Sequence, residues 1–190
     1  MPEPASTKDA RQAFDVFEAM RKRRMHRVFT SEPVDPALLE RLVYAAGRAP
    51  VARADIRHLI VVTDQRLVHT VRQACPGFIA NPPAIIAICS DLERAEELVG
   101  SRGVEVVARL DAGAAAGYLT LAAPALGLGV CIVTSWTEAA VQAIFGLPDH
   151  IRPEVLLAVG HPIPNPAKAM RRFPPIVHHD RYGRLWKEPA

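Results

Sequence analysis

The chain has 190 residues, 49% hydrophobic and 23% charged, a balance that supports a buried core and excludes a low-hydropathy disordered chain. Its 23 basic and 20 acidic side chains leave a formal charge of +3, which permits contact with a polyanion without demanding it. The aromatic content of 6% and the lack of a recognised nucleic-acid-binding motif argue against that role.

Residues 1–10 are polar and Pro-containing and predict a flexible N-terminus with no basic-then-apolar export signal. Residues 11–190 read as one domain, because no linker separates two periodic halves. From Arg11 to about Arg24, Phe14, Val16, Phe17 and Met20 give an amphipathic helix. It ends in the cluster Arg21-Lys22-Arg23-Arg24-Met25-His26-Arg27, where the helix dipole accounts for one or two of the cations and not for all five. Asp35 is a good N-cap and Pro36 a good first residue for a second helix, which Leu38, Leu39, Leu42, Val43 and Ala46 line and Gly47 ends.

A strand over His58–Thr63 follows, then a helix over about Asp64–Gln73, a strand over Ala84–Cys89 sharpened by Pro82-Pro83, and a short helix over Glu93–Leu98. A long helix is predicted from about Val104 to Leu126, a strand over Gly129–Val133, a helix over Glu138–Phe145 and a last core strand over Glu154–Val159. Ala112–Thr137 carries no charge and exceeds the ~20 residues that span a bilayer. Pro124 and the break at Gly127-Leu128-Gly129 instead favour a buried helix, a turn and a buried strand, with membrane insertion as the lesser alternative. Residues 163–190 form a Pro- and Arg-rich tail, long enough without periodicity to wrap a partner subunit. Helices alternating with about four strands give an α+β sandwich, a central mixed sheet flanked by helices.

Cys75, Cys89 and Cys131 form no CxxC pair, and two sit in apolar runs, which suits reduced buried thiols in a cytoplasmic protein. There is no GxxxxGK[ST] loop, HExxH or GxSxG. Gly127-Leu128-Gly129 precedes a strand and is a turn, not a dinucleotide fingerprint. His178-His179 beside Asp180 lacks further ligands at metal spacing, so no metal is expected. All but four of the 23 cations are arginine, and Arg23, Arg24 and Arg27, with Arg171 and Arg172 from the tail, could either converge on a phosphate or form a solvated face.

The order of motifs separates these alternatives. Arg23-Arg24-Met25-His26-Arg27-Val28-Phe29, then Ala45-Ala46-Gly47-Arg48-Ala49-Pro50, Asn81-Pro82-Pro83-Ala84, Asp111-Ala112-Gly113 and Ala125-Leu126-Gly127-Leu128-Gly129 resemble the FMN-dependent nitroreductase family. Gly146-Leu147-Pro148, Leu157-Ala158-Val159-Gly160-His161-Pro162 and Val177-His178-His179-Asp180-Arg181-Tyr182-Gly183 continue the resemblance in order, over about Val16 to Gly183. The resemblance implies a three-layer sandwich forming an intertwined homodimer, with FMN between the subunits. It places Arg23, Arg24 and Arg27 at the ribityl phosphate and adjacent flavin edge, Met25 at the family's usual Ser, and Arg171 or Arg172 at the same phosphate. Ile132, Val133 and Thr134 match the segment that offers backbone N–H groups to the isoalloxazine; for Ile132 and Val133 plain core strand is the alternative.

The implied activity is hydride transfer from NADH or NADPH through flavin N5 to a small-molecule electron acceptor: nitroaromatic, quinone-like or otherwise conjugated. The cofactor carries the chemistry, so no catalytic acid, base or triad is expected. One departure stands out. Val51-Ala52-Arg53-Ala54-Asp55-Ile56-Arg57-His58 lacks the Ser, Asn and Gln-Pro-Trp that family members often carry there. That leaves a second reading, a flavin- or anion-binding protein of this fold without turnover.

Overall fold

The computed structural model describes residues 16–76, 78, 81–163 and 175–186. Helix α1 (Val16–Lys22) is the described part of the first predicted helix. In α2 (Pro36–Gly47) the Asp35 carboxylate accepts the Ala37 N–H at 2.8 Å, the N-cap geometry that the Asp-Pro pair predicts. The same device starts α3 (Gln65–Gln73), where Asp64 accepts from Leu67, and α4 (Leu92–Val99), where Asp91 accepts from Arg94. The long helix is composite: a π-helical turn over Gly103–Val107, α5 (Ala108–Ala122) and a 3-10 turn over Ala123–Leu126. It ends at Gly127, whose φ of 69° lies in the left-handed region that favours glycine at a helix C-terminus. Helix α6 is Glu138–Phe145.

The strands β1 (Arg57–Val62), β2 (Ala84–Asp91), β3 (Gly129–Val133) and β4 (Ile151–Gly160) form one sheet in the order β1-β2-β4-β3. All three strand pairs are antiparallel. The parallel component among the described residues is a single bridge between Met25 and Val130. β4 begins three residues earlier than its apolar run predicts. Its register with β2 shifts between Ile88 and Cys89, and at this bulge Val155 opposes Ile88 while Pro153 opposes Cys89. A proline, disruptive inside a regular ladder, is tolerated at such a bulge.

The alternating side chains of the sheet build two cores. Ile86, Ile88, Leu157, Val159 and Val130 pack with Leu39 and Leu42 of α2 and Ala112, Ala115 and Leu119 of α5. On the other face Ile85, Ala87, Leu156, Ala158, Cys131 and Val133 pack with Val68 and Val71 of α3 and Val141 of α6. These are the three layers of the expected sandwich. The helical run Gly103–Leu126 is long and apolar enough to cross a membrane by length and composition alone, but Ala112, Ala115, Ala116 and Leu119 are spent on the sheet. Its outward residues Leu110 and Tyr118 remain exposed.

Candidate functional site

The segment after α1 is laid along the outer edge of β3. His26 donates its backbone N–H to the Val130 carbonyl at 3.0 Å, and Thr30 and Ile163 close the neighbouring crossing through the His161 and Val28 carbonyls at 2.9 and 3.2 Å. The approach is close enough to require Gly129. A Cβ there would lie 2.8 Å from His26 Cγ and 2.9 Å from Pro162 Cβ. Arg23, Met25 and Arg27 are thereby fixed beside the start of an edge strand.

The three arginines are not equivalent. Arg24 folds back, its Nη1 donating to the carbonyls of Arg21 and Arg23 at 2.5 and 2.9 Å, so its guanidinium caps the end of α1. Arg23 is half-buried and Arg27 exposed, and among the described residues neither pairs with a carboxylate. Arg27 lies near Cys131, where its charge opposes the upward push of burial on that thiol. Met25 packs against the core on the α3/α6 face. Arg171 and Arg172 lie outside the described residues.

Along β3 the backbone alternates direction. Val130 turns its carbonyl outward to His26, so Cys131 and Val133 face β4 and Ile132 faces out again. Val133 is a buried core residue. Ile132 directs its N–H to the outer edge, beyond the last bridge to the N-terminal segment, and the exposed Thr134 follows at the strand end. An edge N–H row next to unpaired guanidinium groups is a donor set for an anionic, acceptor-rich planar molecule. These residues fit the ring edge and phosphate of FMN.

The altered segment before β1 is anchored by Asp111, on the first turn of α5. Its Oδ2 accepts the Ala52 N–H at 2.9 Å. Arg57, whose pKa burial lowers against the pull of Asp111, reaches the Asp111 and Gly47 carbonyls at 3.5 and 3.4 Å. Arg94 ties the 3-10 turn at Ala54–Ile56 to α4 by pairing with Asp55 at 2.9 Å, which holds that carboxyl below its usual range. Asp111 belongs to the motif series, but its structural role is not legible there; the signal is an acid in the first turn of a helix that carries no charge beyond it.

A recess of about 300 Å³ opens at the C-terminal end of β3, lined by Arg109, Thr134, Trp136, Glu138, Arg152 and Glu154, with Pro153 at its wall. Apart from Thr134, none of these residues is a site residue by the sequence pattern, in which Glu138 and Glu154 only open a helix and a strand. Elsewhere, the three cysteines are free and buried; burial lifts Cys75 to about 11, and burial with nearby Glu154 lifts Cys89 to about 12. His178 and His179 sit on a small hairpin and engage different partners. His178 lies against Tyr182 with ring centroids 4.6 Å apart and the planes tilted by 47°, while His179 lies against Trp186 at 5.1 Å, tilted by 40°, and pairs with Asp180 at 2.8 Å. Among the described residues no group of three His, Cys, Asp or Glu is arranged to hold a metal ion.

A sandwich of this order, carrying a basic segment along an open sheet edge, defines a class that comparison with known proteins identifies. The model of the nitroreductase family matches residues 55–161, and the chain belongs to that family. It is 27% identical to the FMN reductase [NAD(P)H] of Bacillus subtilis, over 87% of this chain and 73% of the relative. It is 29% identical to an NADH dehydrogenase of Thermus thermophilus, over 78% and 87%. The crystal structure of nitroreductase A from Vibrio parahaemolyticus superposes with a TM-score of 0.77 at 22% identity, covering 90% of this chain and 78% of that one.

Proposed function

We propose that this protein is an FMN-dependent NAD(P)H oxidoreductase that reduces a nitroaromatic, quinone-like or otherwise conjugated small molecule. When bound, FMN supplies hydride chemistry at N5, accepting from NADH or NADPH and passing reducing equivalents to the acceptor. The chain's own part is placement and charge. Arg23 and Arg27 hold the phosphate, with Arg171 or Arg172 added from the tail. The backbone N–H of Ile132 and the start of the Thr134 segment meet the electron-rich ring edge, where fixed dipoles compensate negative charge without reorganising. Arg24 contributes by ending α1 where Arg23 and Arg27 can reach the phosphate, and Met25 by docking that segment on β3.

The carrying observation is the open outer edge of β3 beside two guanidinium groups that no described carboxylate neutralises. The family likeness to an FMN reductase supports the same reading. A homodimer completes it: Val16 and Met20 of α1, Leu110 and Tyr118 of α5, and Ile176 and Trp186 of the C-terminal hairpin are exposed apolar side chains on one chain, a distribution suited to an intertwined partner. A cytoplasmic setting suits three reduced, buried thiols.

The test is the visible spectrum of purified protein before and after FMN addition, then anaerobic reduction with each nicotinamide and turnover with menadione. A colourless protein that retains no FMN and oxidises neither nicotinamide overturns the proposal. The altered segment at residues 51–58, anchored through Asp111 and Arg57, favours one second reading: FMN binding without nicotinamide-driven turnover. A spectrum that shows bound flavin unreduced by NADH and NADPH would select it.

A further inference from the structure

The recess at the end of β3 has a charge pattern that the flavin does not explain. Arg152 closes on Glu154 through two contacts to the same Oε1, at 2.8 Å from Nε and 2.6 Å from Nη2, and donates to the Val104 carbonyl at 3.1 Å. Both side chains are deeply placed, 13% and 6% exposed. Glu154 is the residue skipped at the β4 bulge, which is why an acid in a core strand can turn to this recess. Glu138 opens α6, where the helix N-terminus complements its charge. Arg109 also lines the recess, exposed, and among the described residues it makes no ion pair or side-chain hydrogen bond. The half-buried Trp136 supplies a planar apolar surface, braced from behind by the core on the α3/α6 side.

We infer that this recess receives the ring of the electron acceptor, and that Arg109 selects aromatic acceptors carrying an acidic substituent. That the ligand is an acceptor rests on the proposed flavoenzyme reading; that it is a planar anion rests on the recess. A volume of about 300 Å³ lies at the small end of ligand pockets, which suits one ring and its substituents. Trp136 offers that ring a stacking partner. Of the four charged groups lining the space, Arg152 and Glu154 neutralise each other and Glu138 is held by the N-terminus of α6, so Arg109 is the cation available to a carboxylate entering from solvent. Thr134 places the recess at the end of the same edge that carries the Ile132 N–H, next to the proposed flavin ring.

The experiment compares 4-nitrobenzoate with its neutral counterpart 4-nitrobenzamide on the FMN-loaded protein. Binding is read by quenching of tryptophan fluorescence, with Trp136→Phe identifying the reporting ring. The expected result is about tenfold tighter binding of the acid, the scale of one charge-assisted hydrogen bond. Arg109→Gln should erase that preference without altering the far-UV spectrum, and Arg109→Lys should restore part of it. Equal affinities in the native chain, or a preference that survives Arg109→Gln, overturns the inference. Menadione turnover, measured in parallel, has no acidic group to report on Arg109. Its absence from the native chain counts against the flavoenzyme reading, whereas the fluorescence comparison alone decides the recess.

Discussion

The amide of His26 is bonded to the carbonyl of Val130 at 3.0 Å, and the ring of His26 rests on the bare Cα of Gly129. This contact locks the basic segment to the sheet edge.

Gly129→Ala therefore tests the geometry of the site without touching a charged group. The new Cβ would sit 2.8 Å from His26 Cγ and 2.9 Å from Pro162 Cβ. Overpacking of this kind costs about 1–3 kcal/mol, and ~1 kcal/mol moves the Tm of a chain this size by about 2–4 °C. The expected outcome is a Tm lowered by several degrees and FMN binding weakened several-fold, read by flavin fluorescence titration. A folded variant with native FMN affinity would disconnect the segment from the cofactor.

The arginines should separate by substitution. Arg27→Gln removes a guanidinium with no described carboxylate partner and should weaken FMN binding by about tenfold or more, as loss of a charge-assisted bond does. Riboflavin, which lacks the phosphate, should bind the variant and the native chain alike. Arg24→Gln should behave differently, because its guanidinium is engaged with the carbonyls of Arg21 and Arg23. It should cost ~0.3–1 kcal/mol of stability at the end of α1 and affect FMN less than Arg27→Gln. Equal losses for FMN and riboflavin would remove Arg27 from the phosphate.

Much of this could be read from the chain before folding was considered, and the failures share a cause. Asp35-Pro36 fixes the start of α2 because a cap is a local interaction, complete within three residues. The start of β4 is not legible in the sequence because Pro153 argues against a strand, and the bulge that accommodates it exists only once β2 is alongside. Arg24 and Arg27 look alike in a motif, yet one guanidinium turns back onto α1 and the other does not. The direction of Val133 follows from counting residues from Val130, but only after Val130 is known to face outward. Arg109 and Trp136 meet across the end of a sheet from separate helical and loop segments, a juxtaposition that no linear pattern encodes.

His26 gives the fold a pH dependence of definite sign. Burial, aided by the charge of Arg24, lowers its pKa below the ordinary 6.5. The unfolded chain therefore takes up a proton at a higher pH than the folded one, and stability must fall as protons are added. The contribution is fully present above pH 6.5 and is lost as the pH falls from there through the depressed folded value. Thermal unfolding between pH 8 and 5 should show a declining Tm, and His26→Gln should make the decline shallower. An identical slope in the variant would assign the dependence to other groups.

Asp111 binds the segment that most departs from the family pattern, through its carboxylate to the Ala52 N–H at 2.9 Å and through its carbonyl toward Arg57. Its partner amide is separated from it by 59 residues in sequence, so the bond closes a long loop onto the start of α5. Asp111→Ala returns that exposed amide to water and leaves half-buried Arg57 without the carboxylate that offsets its burial, at a cost of about 0.5–1.5 kcal/mol. Asp111→Asn keeps an oxygen in place to accept from Ala52 but removes the charge, so it should cost less than the alanine variant. If the anchored segment shapes the flavin pocket, Asp111→Ala should also speed proteolytic cleavage within residues 48–57 and weaken FMN binding, while Asp111→Asn preserves most of both. Limited proteolysis followed by mass spectrometry, with an FMN titration on the same preparations, checks the two together. Cleavage that rises while FMN affinity stays native would show that this segment has taken on a purely structural duty in place of the usual polar contacts.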